Sequence, residues 1–105
     1  MVEASVCTPE MKAQFNDQNE PILFQSRVTK LSRFNIEQKR VMVLTGDHIY
    51  LFDKNSLNRR HRVTNMSAII KSTVSSELVL VFPNAKDLRT LGLTEQQKTD
   101  LISAI

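Results

Sequence analysis

The sequence predicts a mainly β domain, a small antiparallel barrel or sandwich of seven short strands closed by one C-terminal α-helix. Three observations lead there. Apolar residues recur in short stretches of strand character, separated by turn residues at spacings near ten. From Leu93 onward the hydrophobic period changes to that of a helix. The chain has 105 residues, 41% hydrophobic and 24% charged, the balance of one globular core.

Residues 1–21 are polar and read as an N-terminal arm, distinct from a domain over residues 22–105. Thr8-Pro9-Glu10 is a helix-start signal: a hydroxyl cap, a proline at the first helical position and an acid in the first turn. The arm is either a short helix over about residues 9–16, with Met11 and Phe15 sharing a face, or a disordered segment. The first strand is expected at Ile22–Leu31, with Ile22, Phe24, Ser26 and Val28 on one face and Lys30 following Val28 in parity. Lys39–Thr45 is almost continuously apolar after its basic start, the pattern of a strand covered on both faces. Gly46-Asp47 is a hairpin signal that relies on a positive φ at the glycine. Strands follow at His48–Phe52, Arg59–Val63, Ala68–Ser72, Leu78–Phe82 and Asp87–Leu91. Thr94 with Gln97 forms a capping-box pattern, and Leu101, Ile102, Ala104 and Ile105 give the last helix a broad apolar face. The pattern is still helical at Ile105, so the chain is either a piece of a longer protein or ends with this helix.

Several function classes lack their residues. No apolar run approaches the roughly 20 residues of a membrane-spanning helix, and no signal-peptide or lipid-anchor pattern is visible. The single Cys7 excludes an intramolecular disulfide and fits a reducing, cytoplasmic setting. The two glycines, Gly46 and Gly92, lie at turns and form no phosphate-cradling loop. His48, His61 and Cys7 have no metal-ligand spacing. No catalytic residue, metal ligand or cofactor is expected, and the chain is read as a non-enzymatic monomer. The aromatic residues Phe24, Tyr50, Phe52 and Phe82 fall in strand core patterns, so nucleic acid is not an expected partner.

What the sequence does carry is a displaced charge. The formal net charge is +3, yet residues 22–71 alone hold +7, against −3 before and −1 after. Lys30, Arg33, Lys39 and Arg40 crowd the connection between the first two strands. Lysine supplies a movable point charge and arginine a planar fork, which together suit a phosphorylated headgroup. Near an anionic leaflet each such charge contributes on the order of 1 kcal/mol. Lys54, Arg59, Arg60, His61 and Arg62 form a second basic cluster, and Lys54, Arg59, Arg60 and Arg62 are candidate accessory positions. His61, between two arginines, is expected to resist protonation. Phe34 and Ile36, in the basic loop, either dip into a headgroup layer, which makes Phe34 a further accessory candidate, or tuck under their own loop. The second is the commoner behaviour and the expected one.

The segment VTKLSRFNIEQKRVMVLTGDHIYLFD resembles the first three strands of the tail homology domain of class I myosins. RRHRVTNMSAIIKSTVSSELVLVF and the closing TDLISAI are similar to its later strands and final helix. The resemblance covers residues 22–105 and implies a pleckstrin-homology-like barrel. It also implies peripheral attachment to anionic membrane lipids, phosphoinositides above all. The lipid-binding motif of that family has a Lys near the end of the first strand, then a basic pair with one residue between. Lys30 matches the first position. Lys39 and Arg40 stand where the pair belongs but are adjacent, and adjacent strand residues face opposite sides, so one of the two is expected to reach a headgroup. The competing expectation is a protein-interaction scaffold of the same fold, using the second basic cluster or an exposed edge strand without lipid.

Overall fold

β1 (Ile22–Leu31) is the strand on which the others are hung. It pairs antiparallel with β2 (Glu37–Thr45) along nearly its whole length, and its last three residues also pair with β7 (Leu88–Leu91). The computed structural model describes residues 7–15, 21–32, 34–83 and 85–105. The remaining strands are β3 (His48–Asp53), β4 (Ser56–Arg62), β5 (Ala68–Lys71) and β6 (Leu78–Val81). All seven form one antiparallel sheet in the order β4-β3-β2-β1-β7-β6-β5. The two sheets of a sandwich are thus halves of one sheet that share β1, and β4 and β5 are its edges.

Alternation assigns each side chain a face. Phe24, Val28, Met42, Leu44, Ile49 and Leu51 turn inward and join Leu78, Leu80, Phe82 and Leu88 in the main core. The helix α2 (Glu95–Ala104) closes this core with the fully buried Leu101. Its start is the expected capping box: Thr94 Oγ1 accepts from Gln97 N at 3.1 Å, and Gln97 Oε1 accepts from Thr94 N at 2.9 Å. Gln97 Nε2 also donates to Ser26 Oγ at 3.1 Å, tying the helix start to β1. The apolar face of α2 is narrower than expected. Ile102 and Ile105 remain substantially exposed, and Lys98 is buried in their stead. The Lys98 stem packs inward while its ammonium meets Glu95 Oε1 at 3.1 Å, and Lys71 holds the other oxygen at 2.8 Å.

The opposite face carries a second core. Val43, Tyr50 and Phe52 point outward, where an apolar side chain would ordinarily meet water. They are covered by Cys7, Met11 and Phe15. The covering segment is α1 (Pro9–Ala13), whose cap is the expected Thr8: its Oγ1 accepts from Met11 N at 3.2 Å. Phe15 stacks on Tyr50 with ring centroids 4.5 Å apart. This explains the unbroken apolar run in β2, which has one core on each face. Of the two readings of the arm, the short helix is the one observed.

Two turns differ from expectation. The β2–β3 connection bends at Gly46 and Asp47, but Gly46 does not take a positive φ; that conformation falls to Asn35, Lys54 and Gly92 instead. β4 begins three residues earlier than expected, at Ser56, because its pairing with β3 slips by one residue between Leu51 and Phe52. The slip places Leu57 against Phe52 on the outer face and Arg59 against Leu51 on the inner face.

Because Phe15 is 7% exposed and stacked in the outer core, Phe15→Ala should lower unfolding free energy by about 3 kcal/mol. Urea denaturation followed by circular dichroism measures it. A loss below about 0.5 kcal/mol would mean that α1 does not hold the outer core.

Candidate anion-binding site

The candidate site is built from the inner parity of β1 and β2 at the end where they leave the core. Lys30 stands opposite Gln38, and Arg40 opposite Val28, so both cations lie on the inner face. Lys39 stands opposite Thr29 and lies on the outer face. Of the expected pair, Arg40 is therefore the residue that joins Lys30, and Gln38 occupies the other inward position. The Arg40 side chain is 11% exposed, and its Nη1 lies 3.6 Å from Asp53 Oδ1 and donates to Lys39 O at 2.8 Å. Its Nε is buried and meets no acceptor among the described residues, and its side chain borders a groove with Arg27, Lys39 and Lys54 rather than the cavity that Lys30 lines.

The β4 slip brings in a third cation. Arg59 Nε donates to His61 Nε2 at 3.0 Å, and Arg59 Nη2 donates to Lys86 O. Lys30, Phe34, Arg59, His61, Lys86 and Arg89 line a cavity of about 1040 Å³. Burial holds the Lys30 ammonium below the ordinary lysine value, and the nearby Arg59, Arg40 and Lys86 charges push the same way. Four cations thus converge on one opening, and their mutual repulsion falls when an anion enters.

Not every sequence candidate reaches this opening. Arg60 and Arg62, one residue out of parity with Arg59 and His61, are exposed on the other face of β4. Lys54 sits in the β3–β4 turn and lines a separate groove with Lys39. Arg33 lies outside the described residues. Lys86 is the residue that sequence reading missed. It lies in the turn that joins β6 to β7, and the first residues of β7 pair with the end of β1. Alternation along the chain would put the β6–β7 turn at the end opposite the β1–β2 loop, and only the antiparallel pairing of β7 with β1 brings Lys86 to this opening.

Phe34 and Ile36 do not tuck under their loop. They are 70% and 58% exposed, at the tip of the cationic hairpin. Asn35 between them takes φ 60°, and the Ser32 hydroxyl accepts from Phe34 N and Ile36 N at 3.2 Å each. The loop spends its polar groups on its own backbone, and the two apolar side chains face outward.

His61 does resist protonation, with burial as the main cause and Arg59 the second. Its ring stacks on Phe82 at 4.2 Å, and its Nε2 accepts the Arg59 hydrogen bond, an arrangement that requires the neutral imidazole. The sequence neighbours Arg60 and Arg62 face away and are not the cause.

Residues 3–105 match the model of the family described as unconventional myosin tail, actin- and lipid-binding. The chain belongs to that family. The match begins at residue 3, so the family pattern takes in α1, which the resemblance read from residues 22–105 did not. No curated protein sequence matches this member. Similar solved structures are pleckstrin-homology domains. The N-terminal PH domain of human ARAP2 is 15% identical with a TM-score of 0.64, over 76% of this chain and 72% of that one. The DH/PH domain of human ARHGEF11, in a complex with RhoA and its inhibitor, is 10% identical with a TM-score of 0.70, over 88% of this chain. The linker-DH/PH structure of p115-RhoGEF is 12% identical with a TM-score of 0.67, over 92% of this chain. The myosin-tail domain spans about a third of those two exchange-factor chains, 30% and 32%. At these identities the likeness is one of fold. No helix among the described residues is long and apolar enough to cross a membrane.

Neutral His61 gives a pH signature. An unfolded chain binds a proton at the ordinary 6.5, whereas the folded tail domain binds it only at lower pH. Stability from this group is complete above 6.5 and is lost as pH falls below it. Thermal unfolding between pH 7.5 and 5 should show a fall that His61→Phe reduces. An unchanged slope in His61→Phe would remove the histidine from the account.

Proposed function

We propose that this myosin-tail domain is a non-enzymatic module that attaches peripherally to anionic membranes through the mouth lined by Lys30, Arg59, Lys86 and Arg89, with the Arg40 charge close by. The observation that carries this reading is the combination of two features at one end of the molecule. Four cations ring a cavity of about 1040 Å³, and the exposed Phe34 stands on its rim. A soluble anion has no use for an exposed phenyl ring. A lipid headgroup does, because the ring enters the interfacial layer while the cations hold the phosphates.

A multiply phosphorylated headgroup, a phosphoinositide, is the ligand this charge count favours. Lys30 supplies a donor at the base, and Arg59, Lys86 and Arg89 supply the wall. Each cation near the leaflet contributes on the order of 1 kcal/mol, so recruitment should be strong only where several act together and should weaken with salt. The family description names actin as well as lipid, so filaments are the informative second ligand in any test.

Vesicle sedimentation tests the reading. Lys30→Ala combined with Arg59→Ala removes two such charges and should weaken binding to phosphoinositide vesicles by roughly 30-fold. Phe34→Ala should weaken vesicle binding several-fold and leave binding of the soluble inositol phosphate unchanged. Equal sedimentation with neutral and phosphoinositide vesicles, indifferent to the double substitution, would end the proposal. A filament-sedimentation defect in the same double variant, with vesicle binding intact, would give the mouth to a protein instead.

The lowered proton affinity of Lys30 adds a pH dependence with a definite sign. An anion in the mouth stabilises the ammonium, so binding takes up protons once Lys30 begins to titrate. Headgroup affinity should therefore fall as pH rises toward 10.5, beginning earlier than for an ordinary lysine. Calorimetric titrations of soluble inositol phosphate across that range, with Lys30→Arg as the comparison, measure it. An identical profile in Lys30→Arg would show that Lys30 is not the titrating group.

A further inference from the structure

The sheet has two edges, β4 and β5, and they are guarded unequally. β4 exposes Arg60 and Arg62, cations of the kind that keep an edge from pairing. β5 reads Ala68-Ile69-Ile70-Lys71, with no proline or glycine and a single charge at its end. Its ladder shows which backbone groups remain. Ser72 N donates to Glu77 O at 3.1 Å, one step beyond the pair of Lys71 with Leu78. Antiparallel alternation then turns the N–H and C=O of Ile70 toward β6, and those of Ile69 and Lys71 toward the open side.

The same alternation divides the side chains. Ile69 stands opposite the fully buried Leu80 and packs on the main core. Ile70 stands opposite Val79 on the outer face and is 56% exposed. The residues of the N-terminal segment that cover Val43, Tyr50 and Phe52 do not reach it. Charge at the end of β5 is out of balance. Lys71, Glu95, Lys98 and the serines of the β5–β6 loop line a cavity of about 700 Å³. Glu95 is the only acid among the described lining residues, and it serves two cations, Lys71 Nζ at 2.8 Å and Lys98 Nζ at 3.1 Å. The Lys98 side chain is buried, so water does little to offset its charge. A second carboxylate beside Lys71 would restore the balance.

We propose that β5 takes up an extended segment of a partner protein as an eighth, antiparallel strand, with an acidic side chain of that segment set against Lys71. Strand addition of this kind draws affinity from backbone hydrogen bonds and specificity from alternate side chains. The register states the chemistry of the segment. Its residue opposite Lys71 is acidic and turns toward the cavity that Glu95 and Lys98 line. The next residue, opposite Ile70, is β-branched and packs on the outer face. The residue opposite Ala68 shares that face and is apolar as well. From its N-terminal side the segment therefore reads acid, apolar, any residue, apolar. A second copy of this chain lacks the required group, because its β5 would bring another lysine and no carboxylate. The β5–β6 loop and the β6–β7 turn that carries Lys86 lie at opposite ends of β6, so this surface is independent of the mouth.

The test titrates a short end-capped peptide containing glutamate–valine–threonine–valine into the isotope-labelled full chain, beside the same peptide with lysine in place of glutamate. The glutamate peptide should shift the amide resonances of Ile69 and Lys71, whose N–H groups face the open side, and bind roughly tenfold tighter than the lysine peptide. Lys71→Glu should reverse that preference. Ile70→Lys, at an exposed position, should weaken both peptides and leave thermal unfolding as in the parent chain. Equal affinities for the two peptides, or a preference that Lys71→Glu does not reverse, would overturn the pairing at Lys71. Peptide binding that leaves the Ile69 and Lys71 amides unshifted would overturn the strand addition. Dimerisation of the chain that Ile70→Lys abolishes, with no peptide bound, would give the edge to a second copy. Loss of filament sedimentation in Ile70→Lys, again with no peptide bound, would give it to a folded filament surface, and either result overturns the proposal.

Discussion

The register of the β1–β2 ladder is the constraint on which the rest depends. From Phe24 opposite Leu44 to Leu31 opposite Glu37 the pairing runs without a slip, and each step turns the side chains over. A displacement of one residue would send Val28 and Met42 to the surface, so the apolar core fixes the register. The same register then disposes of the cations. Lys30 goes inward to the mouth and Arg40 inward beside Asp53, while Arg27 and Lys39 go outward. The polar layout of the domain is a by-product of how its hydrophobic residues pair.

The sheet also has to be stable on both faces for that layout to hold. An outward Tyr50 and Phe52 would be a liability on a small β domain, and α1 with Phe15 removes it. That covering does more than bury surface. Gln14, at the end of α1, bonds Asn55 O in the β3–β4 turn and Leu57 N at the start of β4, so the segment that completes the outer core also braces this corner. On the other side of the same turn, the β4 slip trades perfect pairing for an inward Arg59. Local irregularity and outer packing thus act on the same corner of the molecule, and the corner borders both the mouth and the groove.

Much of this was legible in the sequence wherever one physical signal dominated. Strand order, the Thr94–Gln97 capping box, the Thr8 helix cap and the two-sided burial of β2 follow from period and composition. Lys30 follows from parity with Val28. What was not legible depended on geometry between segments distant in the chain. Leu57 and Arg59 share a parity in an ideal strand, and only the slip against β3 separates them. Lys86 looks like a turn residue until β7 is paired with β1. Lys98 reads as a solvated helix position, and its burial becomes intelligible only once Glu95 is seen beside its ammonium. Phe34 and Ile36 read as core for want of any sign that the Ser32 hydroxyl would serve the loop backbone alone.

The carboxylates around the mouth show how the fold tolerates such a concentration of positive charge. Asp53 lies within salt-bridge distance of Arg40, Glu77 pairs with Arg89 at 2.7 Å, and the field of Asp87 opposes the loss of charge on Arg59. These acids sit beside the arginines, whose planar forks can keep a carboxylate and still present another donor. The charges felt most strongly at Lys30 are all cations. The arginines are thereby held in place by the protein's own acids, while the lysine is left in a field that an incoming anion would relieve. An opening neutralised evenly would be more stable and would bind less. The distribution of acids among the cations, more than the number of cations, leaves Lys30 the least compensated charge at the opening.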